Sequence, residues 1–226
     1  MELETPHTHK DIYKAVIKSQ HCQRNWDLSK QIPEEDLQIL IDSATQCPSK
    51  QNIAFYNLHF ITDRELIEQI HDKTWGAGPF KLENYPTEYE TNPQTLANLL
   101  IVFEDIDIET QLKNDIISRN FEANEILHGK KENYVKNMET LKIDAQMAIG
   151  IAAGYLNLTA SLLGYRTGCC RCFDTPGIKE LLNMKNDPVL LMGIGFENEN
   201  VNRRKHHIRD FTFNTKKKQP ISVTFW

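Results

Sequence analysis

The sequence predicts an α+β sandwich, a β-sheet with helices packed against it. Three observations carry that expectation. Residues 141–163 read as a helix that is apolar on nearly every side: Met147, Ile149, Ile151, Tyr155, Leu156, Leu158, Leu162 and Leu163 are too many for one stripe. A helix apolar all round belongs inside the molecule. Residues 97–104 (ANLLIVFE) and 188–196 (PVLLMGIGF) are continuous apolar runs of strand length. Finally, residues 221–226 (ISVTFW) alternate as a strand should, yet stand well beyond the last core run, behind Lys216, Lys217 and Lys218. A detached strand of that kind suits the sheet edge of a second copy, so the sandwich is expected as a homodimer.

The totals agree with one domain. A chain of 226 residues can bury a sizeable core. Its 40% hydrophobic and 25% charged residues exclude a disordered chain. A net charge of −5 leaves no general basic footprint, so no nucleic-acid partner is expected. Asp144, Gln146, Asn157, Thr159 and Ser161 interrupt the central helix. A span needs about 20 predominantly apolar residues, so no membrane partner is expected either. The start, MELETPHTHK, lacks the apolar core of a signal peptide, which predicts a cytoplasmic protein.

Taken in order, residues 11–20 form a short amphipathic helix with Ile12, Ala15, Val16 and Tyr13 on its apolar face. Leu37, Leu40, Ile41 and Ala44 recur at helical spacing over 33–45, with Pro33 close to the first position. Pro48 to Asn52 is a loop. Residues 54–61 are aromatic and β-branched in part, as in a strand, and residues 64–74 are a helix. Residues 75–95 are irregular and of the kind that is functional or mobile. Residues 105–140 read as a charged helical excursion, with Phe121 and Tyr134 among its apolar positions. Gly164 ends the central helix, and residues 164–168 read as a tight turn before Cys169, Cys170, Arg171 and Cys172. Residues 176–182 form a short helix. His206 and His207 read as exposed.

Five cysteines, Cys22, Cys47, Cys169, Cys170 and Cys172, are expected as reduced thiols. Their spacing lacks the paired C-x₂-C of a zinc site, so no metal is expected. No G-x-G-x-x-G follows a strand, so a Rossmann nucleotide site is not expected.

Three constellations carry chemistry. The first is Gln20-His21-Cys22-Gln23-Arg24, in which a guanidinium suits a phosphate or an anionic ring oxygen. The second is Pro48-Ser49-Lys50-Gln51-Asn52, whose hydroxyl and amide can serve polar groups without adding charge. The third is the basic run Arg203-Arg204-Lys205 after Gly195, and the segment after the central helix, Cys169 to Cys172, stands beside the three. Their types and order resemble the nitroreductase family of FMN-dependent NAD(P)H oxidoreductases over roughly residues 12–212.

That resemblance implies a nitroreductase-like central mixed or antiparallel sheet flanked by helices, in an intertwined homodimer. FMN would be the cofactor and NAD(P)H the co-substrate. Gln20, His21, Cys22 and Arg24 would contact the phosphate and pyrimidine edge; Gln20 and Cys22 depart from the family's arginine and serine. Pro48, Ser49, Lys50 and Asn52 would reach the flavin held mainly by the other subunit. Cys169 and Cys170 would run beneath the ring, and backbone N–H groups at Arg171 or Cys172 would orient flavin N5. Arg171 and Cys172 stand where many relatives have an acidic residue and glycine. Arg204, then Arg203, would clamp the phosphate. The excursion 105–140 would cover the active site, with Phe121 and Tyr134 lining the pocket, and 213–226 would extend onto the partner. Hydride would pass by a ping-pong mechanism to a nitroaromatic, quinone or similar acceptor. A non-catalytic flavin-binding module stays open, as does a specialised relative that dehalogenates, oxidises azolines or fragments the flavin.

Overall fold

The computed structural model describes residues 8–52, 54–75, 91–107, 138–210, 212–214 and 217–226. Most of the expected excursion 105–140, including Phe121 and Tyr134, lies outside the described residues. The elements are α1 (His9–Ser19), α2 (Glu34–Thr45), β1 (Tyr56–Ile61), α3 (Arg64–His71), β2 (Leu99–Asp105), α4 (Met138–Leu162), β3 (Arg166–Cys170), α5 (Thr175–Leu181) and β4 (Pro188–Gly195). The helix starts follow local chemistry. Thr8 and Asp11 form a capping box on α1. The Asp63 carboxylate accepts from Leu66 N–H at 2.8 Å to cap α3. Glu34, Glu35 and Asp36 face the positive end of α2.

The four strands lie in the order β1-β2-β4-β3, antiparallel throughout. Both faces of the sheet are covered. Leu99, Ile101 and Phe103 of β2, with Met192 and Ile194 of β4, pack against Leu40 and Ala44 of α2 and Ala148, Ala152 and Leu156 of α4. Leu100, Val102 and Leu191 face Ile67 and Ile70 of α3 and Ile178 of α5. Successive strand residues point to opposite faces, so a strand clothed on both sides loses its alternation. That is why residues 97–104 read as an unbroken apolar run.

Several expectations change. The central helix is not buried on all sides within one chain. Leu141, Ala145, Ala148, Ala152, Leu156 and Ala160 turn to the sheet and α2, while Ile143, Met147, Ile151, Tyr155 and Leu158 are exposed. Likewise, only Ala15 of the α1 apolar face is buried; Ile12, Tyr13 and Val16 are exposed. The apolar surplus of both helices forms a second face with no covering element among the described residues.

The supposed turn at 164–168 is shorter than expected. Gly164 alone takes a left-handed φ of 96°, and Arg166–Cys170 then pairs with β4 as an edge strand. A stretch with two cysteines and a glycine gave no alternation to betray a strand. Gly168 lies opposite Gly193, and a Cβ on Gly193 would sit 2.1 Å from Gln94 O. The bare sheet surface there admits Asn92–Ala97, whose Pro93, Gln94 and Thr95 are buried. The last part of the irregular segment 75–95 is therefore core.

Residues 217–226 carry neither helix nor strand, and Phe225 and Trp226 are fully exposed. Among the described residues, no helix is long and apolar enough to cross a membrane.

Candidate functional site

The segment after α1 is stitched to β3 on one side and to the 203–213 loop on the other. Gln23 N–H donates to Thr167 O at 2.8 Å, and Arg24 N–H donates to Arg203 O at 3.0 Å. Arg203 Nη1 donates to Cys22 O at 3.2 Å. A Cβ on Gly168 would meet Gln23 O at 3.0 Å, so the glycine lets the segment lie close. The Arg24 guanidinium sits over the Phe213 ring, 4.8 Å from its centroid. Phe213 N–H in turn donates to Arg204 O at 2.9 Å.

These contacts bring Cys22, Arg24, Arg203 and Arg204 together. The Arg203 guanidinium reaches the Cys22 carbonyl, while Arg204 joins the cluster through its own carbonyl, which accepts from Phe213 N–H. The place is electropositive. Partial burial, then the charges of Arg203 and Arg166, hold the His21 imidazole below its usual range. Arg166 itself is clamped by Glu197, its Nε and Nη2 each 2.7 Å from a carboxylate oxygen. Gln20 is exposed beside this cluster. Gln23 is 1% exposed and its Oε1 has no hydrogen-bond partner among the described residues. Two guanidiniums, an imidazole and an unused buried acceptor form a donor and acceptor set that fits a phosphorylated polar cofactor such as FMN.

The far end of β3 holds the thiols. Cys170 Sγ accepts from Asn92 Nδ2 at 2.9 Å and from Cys172 N–H at 3.2 Å. Burial, then the neighbouring Cys22 and Cys170, pushes the Cys169 thiol up to about 12. Burial is also the first cause pushing the Cys170 thiol up to about 11. Both are therefore protonated at neutral pH and make poor nucleophiles. The Cys172 carbonyl accepts from Trp75 N–H at 3.0 Å, which fixes that turn. From Thr167 to Arg171 the strand advances about 13 Å, so the basic cluster and the Arg171–Cys172 turn are separate ends of one edge.

Arg171 is exposed and helps line a cleft of about 480 Å³. Ala145, Ile149, Val189 and Leu190 supply apolar walls; Lys142, Gln146 and Asp105 add polar groups. Burial is the main reason that the Asp105 carboxyl is raised, helped by Asp187 and opposed by Lys142.

The Pro48–Asn52 loop lies elsewhere. Asn52 closes it with a φ of 57°, and Lys50 Nζ is 2.6 Å from Asp144 Oδ2 near the start of α4. The N-terminal cluster meets α4 at Asn157, whose Nδ2 donates to Ser19 O at 3.0 Å. Those two points are about 20 Å apart along the helix. Within one chain the structure does not bring Pro48, Ser49, Lys50 and Asn52 to the arginines.

Sequence reading missed the supports. His206 is buried, not exposed, and His207 is half-buried. His206 Nδ1 accepts from Ile208 and Arg209 N–H, each at 3.1 Å, its Nε2 lies 3.2 Å from Thr91 Oγ1, and its ring stacks on Phe213. His207 Nδ1 accepts from Trp26 N–H at 3.2 Å. These histidines anchor the basic loop. Arg166, Asn92 and His71 also escaped notice, because their partners are distant in sequence and leave no local pattern.

Comparison with known proteins follows the same lines. The Nitroreductase family model matches residues 17–196. "Putative NAD(P)H nitroreductase YdgI" of Bacillus subtilis (strain 168) is 24% identical over 199 residues, covering 81% of this chain and 87% of that protein. Among solved structures, a "putative nitroreductase in complex with FMN" from Exiguobacterium sibiricum 255-15 superposes with a TM-score of 0.61 at 18% identity, covering 88% of this chain and 92% of that one. The nitroreductase family protein of Streptococcus pneumoniae TIGR4 gives 0.59 at 16% identity, covering 92% and 96%. At such identities the superpositions speak for the fold alone. The family match spans most of the chain, from the end of α1 to the end of β4, and on that ground the chain belongs to the nitroreductase family.

Proposed function

We propose that this chain is an FMN-dependent oxidoreductase that carries hydride from NAD(P)H to a nitroaromatic, quinone or similar acceptor, working as a homodimer. The observation that supports it best is the pairing of Arg24 with Arg203 beside the Thr167 end of β3, where Gln23 is bonded, one strand's length from the Arg171–Cys172 turn. Bound FMN supplies the hydride relay that no side chain can. The protein's part is binding and field. Arg24 and Arg203, with Arg204 beside them, hold the phosphate. Backbone N–H at the end of β3 orients the ring. The Cys172 N–H points at Cys170 Sγ, so that duty falls to Arg171. Exposed cations at the flavin edge favour a ring that gains charge on reduction.

Two substrates using one face in turn give parallel double-reciprocal plots. The engaged Cys172 N–H favours a second reading, a flavin-binding module without turnover. Anaerobic addition of NADPH to the flavin-loaded protein separates the two. Bleaching of the flavin band is expected; a spectrum that stays oxidised would leave the module.

The dimer rests on the uncovered apolar faces of α1 and α4 and on the exposed Ile221, Val223, Phe225 and Trp226. Residues 213–226 extend onto the partner in this reading, the excursion 105–140 covers the site, and the Pro48–Asn52 loop serves the partner's flavin. Deleting residues 219–226 is expected to lower both the dimer fraction and flavin retention. Sedimentation of the truncated chain tests it, and a flavin-loaded monomer would overturn the arrangement.

A further inference from the structure

The cleft beside Arg171 has a polarity that catalysis at a flavin does not by itself require. Its walls are apolar on the α4 side, through Ala145 and Ile149, and on the β4 side, through Val189 and Leu190. Its polar groups include two cations from different elements, Arg171 just after β3 and Lys142 near the start of α4. Among the described residues no carboxylate lies in ion-pair contact with either one. The one carboxylate of the lining, Asp105, accepts Ile106 N–H on Oδ1 at 2.8 Å and feels the Lys142 charge without an ion-pair contact to it.

A volume of about 480 Å³ suits a small molecule. An apolar slot with a guanidinium at its rim selects a ligand with a flat apolar body and a charged end. We propose that this cleft is the acceptor's binding site and that Arg171, assisted by Lys142, selects acceptors carrying a carboxylate. This rests on the flavin reading above, because Arg171 adjoins the position assigned to the ring. Arg171 then has two separate parts: its backbone faces the cofactor, and its side chain reads the substrate.

The test compares 4-nitrobenzoate with 4-nitrobenzamide, which has the same outline without the charge. Each is titrated into the oxidised, flavin-loaded protein, and binding is read from the shift of the flavin absorbance, without turnover. The wild type is expected to prefer the acid about tenfold, the worth of one charge-assisted contact. Arg171→Gln keeps the backbone and should abolish the preference, Arg171→Lys should restore part of it, and Lys142→Gln should reduce it. Equal binding of acid and amide by the wild type would overturn the proposal while leaving the flavin reading intact. A preference that survives Arg171→Gln would overturn it too. A 2′-phosphate on the nicotinamide donor is the other anion that could sit here. If Arg171→Gln erased a preference for NADPH over NADH and left the acid preference unchanged, the cleft would be a donor site and the proposal would fall. Protein that retains no added FMN would remove the functional reading itself, and this inference with it.

Discussion

Lowering the pH from 7 toward 4 is expected to remove on the order of 5 kcal/mol of folding stability, most of it through two histidines. Burial is the first cause that pushes both His71 and His206 down to about 4. Asp72 opposes the shift at His71, and Arg64 and His207 add to it. His71, Arg209 and His207 add to it at His206. Both rings are almost wholly buried, 4% and 1% exposed, so screening by solvent is slight. In the unfolded chain each takes up a proton as the pH falls through about 6.5. In the folded chain each resists until about pH 4. Between those limits the unfolded state binds more protons, so stability falls as pH falls, by about 1.4 kcal/mol per pH unit for each histidine. Such a loss is comparable with the whole stability of an ordinary domain. Urea unfolding at pH 7, 6 and 5 would show the slope, and His206→Gln should flatten it. A stability that is level between pH 7 and 5 would contradict the account.

Replacing Arg203 and Arg204 together by alanine is expected to weaken FMN about 10- to 100-fold, because a charge-assisted hydrogen bond contributes about 1.5–3 kcal/mol. Riboflavin, which has no phosphate, should bind the variant as it binds the wild type. The ratio of the two affinities separates loss of the phosphate contact from damage to the loop. Arg203 also donates to Cys22 O, so a small loss for riboflavin would measure the positioning of the N-terminal segment. Should the double variant keep the wild-type preference for FMN, the clamp would lie elsewhere.

The fold was legible where burial writes itself into periodicity. Residues 97–104 and 188–196 became β2 and β4 because a strand covered on both faces must be apolar throughout. The short helices followed from caps and spacing. The edge strand β3 was hidden, since its pairing with β4 depends on Gly168 meeting Gly193 rather than on any alternation. The burial of Asn92–Ala97 was hidden for the same reason. At the candidate site, the sequence offers Arg24, Arg204 and Arg203 by type, because a guanidinium suits a phosphate. It does not offer the supports: Arg166 finds Glu197, and His206 finds Thr91 and Phe213, only after the chain has folded. The apolar excess of α4 points to burial, but the sequence does not divide that burial between the sheet and a second copy. It is better described as two faces, one spent on the sheet and one left over.

The strand order has a consequence for how the chain is made. The two central strands, β2 and β4, pair Leu99 with Ile194, almost half the chain apart. A ribosome delivers residues in sequence, so β2 emerges with one neighbour, β1, and with its other edge bare until β4 arrives. During that wait the nascent chain presents the run Leu99 to Phe103 without its other flank. Closing so long a loop before any sheet contact rewards it makes the pairing of β2 with β4 the expected slow step. Refolding should accordingly be slow and prone to aggregation at high concentration, and a shortened chain ending before Pro188 should not form the sheet at all.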